Sequence, residues 1–383
     1  MTRPRARRPD VAVAASTIPG TPRALTVAVT GAAGSLGDHV VRALAADPAL
    51  AGVVAIDSSA TRVRQQTAPS SGSAAQASSR VAWRTADVRH PSFARALDGV
   101  DVVVHAAVAQ EPDAPAADRR AGNLEGVRTL LAAAARAGVR RVVILSSAMV
   151  YGGLPDNPPL LCESHELRAA ADDSIVGDFL RIEGLVGDFA AAHSDIAIVV
   201  LRPATIVGPG CDGVLTRHFE KSRLFAVRGV IARWQFVHVA DVAAACALAV
   251  SGAIDGVVNV APSATLTQAD LEDITGSRRV ELPASVVFGA ADRLHRAGVT
   301  LAPGGELAYL AYPWVVDSTK LYDAGWRPAY DSVTALRTHI ALARSPEGQR
   351  RLGRDDATRA AAGATVAVLG AAALLRRSRR RRR

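Results

Sequence analysis

The chain of 383 residues contains little cysteine, little lysine and only 4% aromatic residues. Its three cysteines, Cys162, Cys211 and Cys246, are scattered and form no C-x-x-C pair. We therefore expect a reducing compartment, with neither a disulfide framework nor a structural zinc site nor any other bound metal. With 49% hydrophobic and 21% charged residues, the chain can bury a sizeable core, which argues against global disorder.

Long hydrophobic runs are also scarce. The basic segment Met1–Asp10 leads into no long apolar stretch, so we predict no secretory signal. Ala360–Leu375 is a run of sixteen uncharged residues followed by an arginine-rich end, but a spanning helix needs about 20 apolar residues. We expect this tail to lie at an anionic membrane surface, to dock on another chain or to be disordered. The predicted protein is cytoplasmic, with at most peripheral membrane contact.

Basic residues are abundant but unevenly distributed. Only two of the 45 are lysines, Lys221 and Lys320. Of the net charge of +9, residues 1–10 contribute +3 and residues 376–383 contribute +7, which leaves −1 for the chain between them. A basic segment at each end can attract an anionic surface weakly, but a nearly neutral body does not indicate a specific nucleic-acid-binding protein.

From Ala24 onwards, short runs of β-branched residues alternate with longer Ala/Leu-rich stretches of helical pattern. Strands that are apolar along their whole length are typical of parallel sheets covered by helices on both faces. The alternation predicts an α/β fold, a Rossmann-type doubly wound parallel sheet. The predicted strands are Leu25–Thr30, Val53–Asp57, Val81–Trp83, Val102–His105, Val142–Ser146 and Ile196–Leu201, and the predicted helices are Ser35–Ala46, Ser92–Leu97, Gly122–Ala137 and Asp178–Ala192.

The regular alternation fades after Leu201, where proline, glycine and aromatic residues become more frequent. Shorter elements are expected there, and they suit a smaller substrate-binding lobe built from C-terminal insertions beside the sheet. No internal repeat is visible. The predicted organisation is a basic arm over residues 1–23, a folded domain over 24–345 with a surface insertion at Thr61–Arg80 and a lobe mainly from 205–235 and 262–330, and a tail over 346–383.

A glycine-rich turn lies between the first predicted strand and the first predicted helix. Gly31 permits a tight turn, Gly34 lets a pyrophosphate approach the backbone, and Gly37 lets the helix pack close to the strand. The N-terminus of the following helix offers free N–H groups and the positive end of its dipole to phosphates. This context predicts a dinucleotide-binding turn.

An acidic residue, Asp57, ends the second predicted strand, twenty residues after Gly37. A carboxylate at that position accepts hydrogen bonds from ribose hydroxyls and repels a 2′-phosphate, which favours NAD over NADP. Arg62 and Arg64 follow closely and weaken this preference. We therefore predict NAD as the cofactor, with NADP less favoured.

These motifs and several later ones resemble the extended short-chain dehydrogenase/reductase family, which comprises NAD-dependent sugar epimerases and dehydratases. The resemblance covers about Leu25 to Ala341, and it implies a Rossmann fold, bound NAD and a nucleotide-sugar-like substrate. The stretches that carry it are Thr30–Gly37 (T-G-x-x-G-x-x-G), Asp87-Val88, Val104–Ala107, Asn123, Leu145–Gly152 (S-S-x-x-V-Y-G), Leu201–Gly210, Phe236–Ala243, Val258–Val260 and Asp317–Pro328.

The resemblance also implies which residues contact the cofactor and which partners to expect. We expect a small-molecule substrate and no specific nucleic acid, and a homodimer is an open alternative. The implied cofactor-binding residues are Gly31, Ala33, Gly34, Ser35, Leu36, Gly37, Asp57, Asp87, Val88, Ala106, Ala107, Asn123, Ser146, Pro203 and Thr205.

The sequence departs from the family at the catalytic pair. The family's chemistry uses a tyrosine and a lysine four residues apart, on one face of a helix. The lysine favours ionisation of the tyrosine, which exchanges a proton while a hydride moves to or from NAD. This chain has no tyrosine between Tyr151 and Tyr309 and no lysine before Lys221. Tyr151 ends the serine strand, so it is no replacement.

Aligning Glu183–Val186 with the family's E-x-L-V stretch places Ile175 at the tyrosine position and Phe179 at the lysine position. Ser147 remains as the implied catalytic serine. The site is therefore expected to keep a hydroxyl without its usual base.

Three interpretations follow from this departure. The protein acts on a nucleotide-sugar-like or related substrate with a non-standard proton-transfer group, or it is a catalytically inactive NAD-binding sensor or scaffold. In the third, the alignment is in the wrong register and the site is built elsewhere, which the lack of any candidate tyrosine and lysine argues against. Asp178 is the candidate replacement base, and Glu163, His165 and Glu166 lie on the loop before its helix. The simpler interpretations are a solvated helix carboxylate for Asp178 and an exposed loop histidine for His165.

Three further polar residues have structural explanations that compete with functional ones. His105 ends a predicted strand, where a hydrogen bond within the core is expected. Asp241 follows His238 at a predicted helix start, where its carboxylate is expected to bond first-turn N–H groups. Arg202 suits either a substrate phosphate or a structural contact at the sheet edge.

Overall fold

The computed structural model describes residues 24–61, 63, 80–108, 115–286, 288 and 304–346. The predictions for the basic arm, for nearly all of the tail and for most of the Thr61–Arg80 insertion concern residues outside these ranges. Within them, no helix has the length and hydropathy required to cross a membrane.

A parallel sheet of seven strands forms the centre of the molecule, and two two-stranded parallel sheets accompany it. In the large sheet the strand order is β10-β6-β5-β4-β1-β2-β3. The strands are β1 (Thr26–Thr30), β2 (Gly52–Asp57), β3 (Val81–Thr85), β4 (Val102–His105), β5 (Arg141–Leu145), β6 (Ala197–Pro203), β7 (Thr205–Val207), β8 (Arg223–Val227), β9 (Phe236–His238), β10 (Gly256–Val260) and β11 (Arg278–Leu282).

The order of the strands locates the crevice in which such sheets bind ligands. The chain starts at β1, builds outward through β2 and β3, then crosses to the other side of β1 to form β4. Where the connections that follow two adjacent strands run in opposite directions along the sheet, a crevice opens at the carboxyl ends of those strands. The site is therefore expected outside the ends of β1 and β4, where Thr30 pairs with His105.

Helices cover both faces of the sheet. The helices are α1 (Ser35–Ala45), α2 (Ala116–Ala137), α3 (Ile175–Ala192), α4 (Val214–Phe219), α5 (Val239–Ser251), α6 (Gln268–Thr275), α7 (Gly304–Ala311), α8 (Thr319–Asp323) and α9 (Ser332–Ala343), and 3₁₀ turns occupy Pro91–Leu97 and Ala148–Tyr151.

Alternate residues of each strand face different helices. Val102 and Val104 of β4 belong to the cluster that contains α1 and α5, whereas Val103 belongs to the cluster that contains α2 and α3. All three valines are fully buried. Burial on both faces explains why the strands are apolar throughout rather than alternating.

The doubly wound α/β fold is confirmed, and the six predicted strands form with shifts of at most two residues. The seventh strand of this sheet, β10, was not predicted, because Asn259 interrupts its run of valines. The helix predicted from Gly122 begins earlier, at Ala116, directly after Pro115. The predicted helix Ser92–Leu97 is a 3₁₀ turn that begins at Pro91.

A smaller lobe lies after β6. Its own apolar cluster joins residues of α4 and β8 to residues of α6 and α9, with Trp234 and Phe236 among its members. Phe219 packs edge-to-face against Phe236, with ring centroids 5.0 Å apart. The domain boundaries and the substrate-binding role of this lobe stay predictions.

Candidate active site

The turn after β1 is too crowded for any side chain at two of its glycines. Gly31 has φ +68°, and a Cβ there would lie 2.8 Å from the Cα of Ala107. A Cβ at Gly37 would lie 2.1 Å from the carbonyl oxygen of Gly31. The glycines therefore let the turn fit against the residues after β4 and let α1 start close to β1.

The N-terminus of α1 points out of this turn without a side-chain cap. Gly34 is the N-cap residue, and the amide of Asp38 donates to its carbonyl at 2.9 Å. The N–H groups of Ser35, Leu36 and Gly37 precede that first helical hydrogen bond, so they have no acceptor within the helix. Such a helix end binds anions, which is the property that a pyrophosphate requires.

The Asp57 carboxylate lies beside the same turn. It is 7% exposed, Oδ2 accepts from the amide of Ala33 at 3.2 Å, and Oδ1 accepts from the amide of Ser59 at 2.9 Å. These bonds fix the carboxylate next to the phosphate turn at the end of β2. Arg62 and Arg64, which weaken the preference for NAD, lie outside the described residues.

Asp87 and Val88 follow β3 at the same edge of the sheet. The Asp87 carboxylate accepts hydrogen bonds from the side chain and the amide of Arg89, and these bonds lower its pKa. Val88 lies against Gly126 of α2. Across the turn, the amide of Ala106 donates to the carbonyl of Thr30 at 3.2 Å. The predicted adenine and nicotinamide positions thus flank the phosphate turn.

Two serines follow β5. Ser146 Oγ donates to Glu183 Oε1 at 2.5 Å, so this hydroxyl is directed to α3. Ser147 caps the next 3₁₀ turn, and its Oγ accepts from the amide of Met149 at 3.2 Å. Within the described part of the chain, the hydroxyl proton of Ser147 has no acceptor.

A buried polar network lies directly behind these serines. Arg202 pairs with Glu183, with Nη2 2.5 Å from Oε2. The Tyr151 hydroxyl accepts from Arg202 Nη1 at 2.8 Å and donates to Asn259 Oδ1 at 2.9 Å. Burial raises the pKa of Tyr151. Arg202 therefore has a structural role, and Tyr151 is fully buried, as a non-catalytic tyrosine would be.

The loop after β7 reaches back to the phosphate turn. Ser35 Oγ donates to the carbonyl of Pro209 at 2.7 Å, across 174 residues of sequence. Cys211 Sγ is 3.8 Å from the same hydroxyl, and burial raises the pKa of this thiol to about 11. Pro203 and Thr205, the other cofactor-binding residues implied on this side, end β6 and begin β7.

The family model described as "NAD dependent epimerase/dehydratase family" matches residues 27–261, which contain the phosphate turn, Asp57 and both serines. The chain belongs to the NAD-dependent epimerase/dehydratase family. The resemblance noted from the motifs is confirmed, and NAD, the cofactor that gives this family its name, is confirmed with it.

Relatives of known sequence and structure agree with this assignment. An uncharacterized protein of Mycobacterium tuberculosis is 32% identical over 319 residues, which are 81% of this chain and 82% of that protein. The UDP-glucose 4-epimerase of Thermus thermophilus, in complex with NAD, superimposes with a TM-score of 0.61, 22% identity and coverage of 84% of this chain and 100% of that one. The dTDP-glucose 4,6-dehydratase DesIV of Streptomyces venezuelae superimposes with a TM-score of 0.60 and 21% identity, and the match covers 85% of this chain and 98% of that one. These structures share the fold of this family member.

The positions aligned with the family's tyrosine and lysine lie at the start of α3. Ile175 is its first residue and is partly buried, and Phe179, one turn later, is buried. Lys320 lies far from them, since its ammonium donates to the carbonyls of Asp255 and Val257 at the opposite end of β10. Lys221 belongs to the lobe, between α4 and β8. The absence of the usual pair from the active site stays a prediction from the sequence, whichever residues are aligned with the pair.

Asp178 has a different environment from the one expected. The interpretation as a solvated helix charge is wrong, because the side chain is fully buried between α2 and α3. Its Oδ2 accepts from Arg119 Nε at 2.9 Å and from Asn123 Nδ2 at 3.3 Å, and Arg120 Nε lies 3.4 Å from Oδ1. Both carboxylate oxygens of Asp178 therefore face guanidinium groups of α2. The side chain of Asn123 thus takes part in the contact between α2 and α3.

The loop before α3 contains a pair that sequence reasoning missed. His165 is partly buried rather than fully exposed, and its Nδ1 lies 3.0 Å from Sγ of Cys162. Glu163 Oε1 accepts from the amide of Asn259 at 2.9 Å, which ties the loop to the end of β10. The C-x-x-H spacing on one loop was the available signal for the pair.

The remaining polar predictions give mixed results. His105 is buried and bonds Thr30 Oγ1 at 2.8 Å, as expected of a core residue, and burial lowers its pKa to about 4. The expectation for Asp241 is wrong: its carboxylate accepts from the amides of Ala329 and Tyr330, while His238 caps the helix through the amide of Ala240. The described residues contain no group of three or more His, Cys, Asp or Glu side chains able to hold a metal ion.

Proposed function

We propose that this protein binds NAD at the phosphate turn and acts on a nucleotide-sugar-like or related substrate, with a proton-transfer group other than the tyrosine–lysine pair. The observation that carries the proposal is the glycine turn packed against Ala107, with the Asp57 carboxylate fixed at its side. The turn leaves no space for side chains where the backbone must approach a ligand, and it presents an uncapped helix end.

The residues present fit the cofactor. The α1 N-terminus would hold the pyrophosphate, and Asp57, already held by two amides, would accept hydrogen bonds from the ribose hydroxyls. A bound NAD would supply a hydride acceptor for a carbon that carries a hydroxyl group. Ala106 and Ala107, the small residues after β4, would flank the nicotinamide half.

Ser147 is the residue best placed to contact the reacting oxygen. It lies at the carboxyl end of β5, beside the predicted nicotinamide position, and its hydroxyl accepts one amide bond. Its proton is therefore free to form a hydrogen bond with a substrate hydroxyl or carbonyl. We assign Ser147 the role of orienting that oxygen through a hydrogen bond from its hydroxyl.

Asp178 has weaker support as the base. To accept a proton it would have to give up its ion pair with Arg119, whose side chain is only 9% exposed. We therefore expect Asp178 to stabilise the α2–α3 contact and Ser147 to work without it. Replacement of Asp178 by asparagine separates the two roles, because a base would be lost while much of the packing is kept.

The substrate class rests on the fold relatives. The neighbours include one protein, MoeE5, solved both with UDP-glucuronic acid and NAD and with UDP-glucose and NAD, with a TM-score of 0.60 in each case. This chain has a smaller lobe with its own apolar cluster after β6. We infer a small-molecule substrate with a nucleotide-sugar-like structure for this lobe.

The test is turnover of a panel of UDP- and dTDP-linked sugars in the presence of NAD, followed by chromatography of the sugars and absorbance of reduced cofactor. We expect conversion of at least one sugar by the wild-type protein. Conversion should fall by about 10²-fold or more in Ser147→Ala, in line with loss of a hydrogen-bond donor to the reacting oxygen. Ser251→Ala, on an exposed residue at the end of α5, is the control. NAD binding without conversion would contradict this proposal and favour the inactive sensor or scaffold.

The homodimer and the contact with an anionic membrane surface stay proposals. The tail over 346–383 lies almost wholly outside the described residues, so its contact with an anionic membrane surface rests on sequence alone. Sedimentation with vesicles that contain anionic lipid tests it, with a protein truncated after Ser345 as the control.

A further inference from the structure

The loop between the serine strand and α3 places a thiol against an imidazole. Sγ of Cys162 lies 3.0 Å from Nδ1 of His165 and 3.1 Å from Oγ of Ser164. Cys162 and His165 are partly buried, so small molecules can reach the sulfur while the ring stays in place. A nucleophile within hydrogen-bond distance of a base is the arrangement that activates a cysteine.

The tautomer of the neutral His165 ring is assigned from its hydrogen bonds. The amide of Cys162 donates to His165 Nδ1 at 3.0 Å, so in the neutral ring Nδ1 carries a lone pair and Nε2 carries the proton. The thiol lies within reach of the same lone pair, so transfer of its proton to Nδ1 displaces the hydrogen bond from the Cys162 amide. Once Nδ1 is protonated, the carbonyl oxygen of Cys162, 3.3 Å away, can accept its N–H. The Ser164 hydroxyl can donate to the sulfur as negative charge develops there.

The other two cysteines lack this environment. Burial raises the pKa of Cys211 to about 11 and that of Cys246 to about 12, so both thiols stay protonated near neutral pH. Cys246 is fully buried within α5. The chain thus supplies two internal comparisons for the reactivity of Cys162.

We propose that Cys162 and His165 form a nucleophile–base pair that makes Cys162 a site of thiol–disulfide exchange with small disulfides. The Cys162 sulfur attacks one sulfur of the disulfide R–S–S–R while its proton passes to His165 Nδ1. The bond between Cys162 and one R–S group forms as the original S–S bond breaks, and the leaving sulfur takes the proton from Nδ1 to give R–SH. No oxidant beyond the disulfide is needed.

The site of this modification is joined to the buried network behind Ser146. Leu161 accepts from Asn259 Nδ2 through its carbonyl, and Glu163 accepts from the Asn259 amide through its carboxylate. Cys162 lies between these two contacts, and Asn259 in turn bonds Tyr151. The exchange site is thus one residue from the contacts that hold this loop to β10.

The probe is bis(2-hydroxyethyl) disulfide, a neutral molecule that avoids repulsion by Glu163 and Glu166. We expect one mixed disulfide per chain, on the peptide that contains Cys162, and its removal by dithiothreitol. His165→Asn should slow the exchange at least tenfold, since general bases contribute about 10²–10⁴-fold to such steps. His193→Asn is the matched control, because His193 Nδ1 bonds a backbone carbonyl at 3.1 Å and lies at the end of α3.

Three results would overturn the proposal: no adduct on the wild-type protein, an adduct mainly on Cys211 or Cys246, or equal rates for wild type and His165→Asn. Unchanged thermal unfolding of the His165→Asn variant shows that a slower rate reflects the lost base. If that variant unfolds, Ser164→Ala provides the second measurement. It keeps the base and removes a hydrogen-bond donor to the sulfur, so its exchange should be slower than wild type, and an unchanged rate would count against the assigned geometry.

Discussion

The buried ion pair behind the active-site serines gives the sharpest stability prediction. Glu183 accepts hydrogen bonds from Arg202 and from Ser146, and the side chains of the pair are only 7% and 5% exposed. Glu183→Gln keeps the size and shape of the side chain and leaves an oxygen for Ser146. It removes the negative charge, so the Arg202 guanidinium stays buried without its counter-ion.

The expected loss of unfolding free energy is about 3–5 kcal/mol, the range for removing one partner of a buried pair. Glu125→Gln is the matched control. Glu125 lies 4.0 Å from Arg128 on the surface of α2, and both side chains are more than half exposed. Its loss should change the free energy of unfolding by about 0.5 kcal/mol or less.

Urea unfolding followed by tryptophan fluorescence measures both variants, and the comparison requires equal denaturant slopes. Replacing Arg202 by Met in the Glu183→Gln background removes the unpaired charge, so the double variant should recover part of the loss. A loss for Glu183→Gln within about 0.5 kcal/mol of the control would refute the reasoning, because a buried, uncompensated guanidinium cannot be that well tolerated.

Three further predictions follow from the same structure. Ile175→Tyr combined with Phe179→Lys should produce reduced cofactor from NAD and a nucleotide sugar, by spectrophotometry, and no gain would mean that the alignment at α3 is wrong. Gly37→Ala should abolish NAD binding in a fluorescence titration, because the added Cβ would meet the backbone of the turn at Gly31. Gly184→Ala is the comparison on stability: its Cβ would lie in open space, so the free energy of unfolding should rise by about 0.4–1 kcal/mol. Burial lowers the pKa of His105 from its ordinary value of 6.5 to about 4, so between these pH values the histidine binds a proton in the unfolded chain but not in the folded one. The free energy of unfolding should therefore fall as the pH is lowered from 6.5 to 4, by up to ~1.4 kcal/mol per pH unit. His105→Gln should flatten that slope.

The sequence carried most of the information about the sheet and the phosphate turn. Fully buried strands such as Val102–His105 are apolar on both faces, and this pattern is visible in any short window. The glycine turn is equally local, because steric exclusion at Gly31 and Gly37 depends on a few neighbouring residues. Local physical causes leave local sequence patterns, which is why these elements could be predicted.

The environments of individual polar residues depend on partners that are distant in sequence. Asp178 is buried because Arg119 of α2 lies against it, 59 residues earlier in the chain. Asp241 bonds amides of the segment at Ala329, 88 residues later. No periodicity encodes such partners, so a helix carboxylate is indistinguishable from a solvated one until the helices are placed together.

The proximity of Cys162 and His165 belongs to a third kind of feature. Both residues lie on one short loop, and the hydrogen bond from the amide of His165 to the carbonyl of Cys162, at 3.0 Å, closes a turn that brings them together. Because the turn is defined by backbone geometry rather than by a hydrophobic pattern, the spacing alone could not distinguish this contact from two separate surface residues.

Calorimetric titration with NAD tests the central claim most directly. We predict one NAD bound per chain for the wild-type protein. Affinity should fall at least tenfold for Asp57→Ala, since a hydrogen bond to a charged group contributes about 1.5–3 kcal/mol, and Asp47→Asn, which changes an exposed carboxylate that accepts one amide bond, should bind as the wild type does. Absence of binding by the wild-type protein, or equal affinity for Asp57→Ala, would contradict the account.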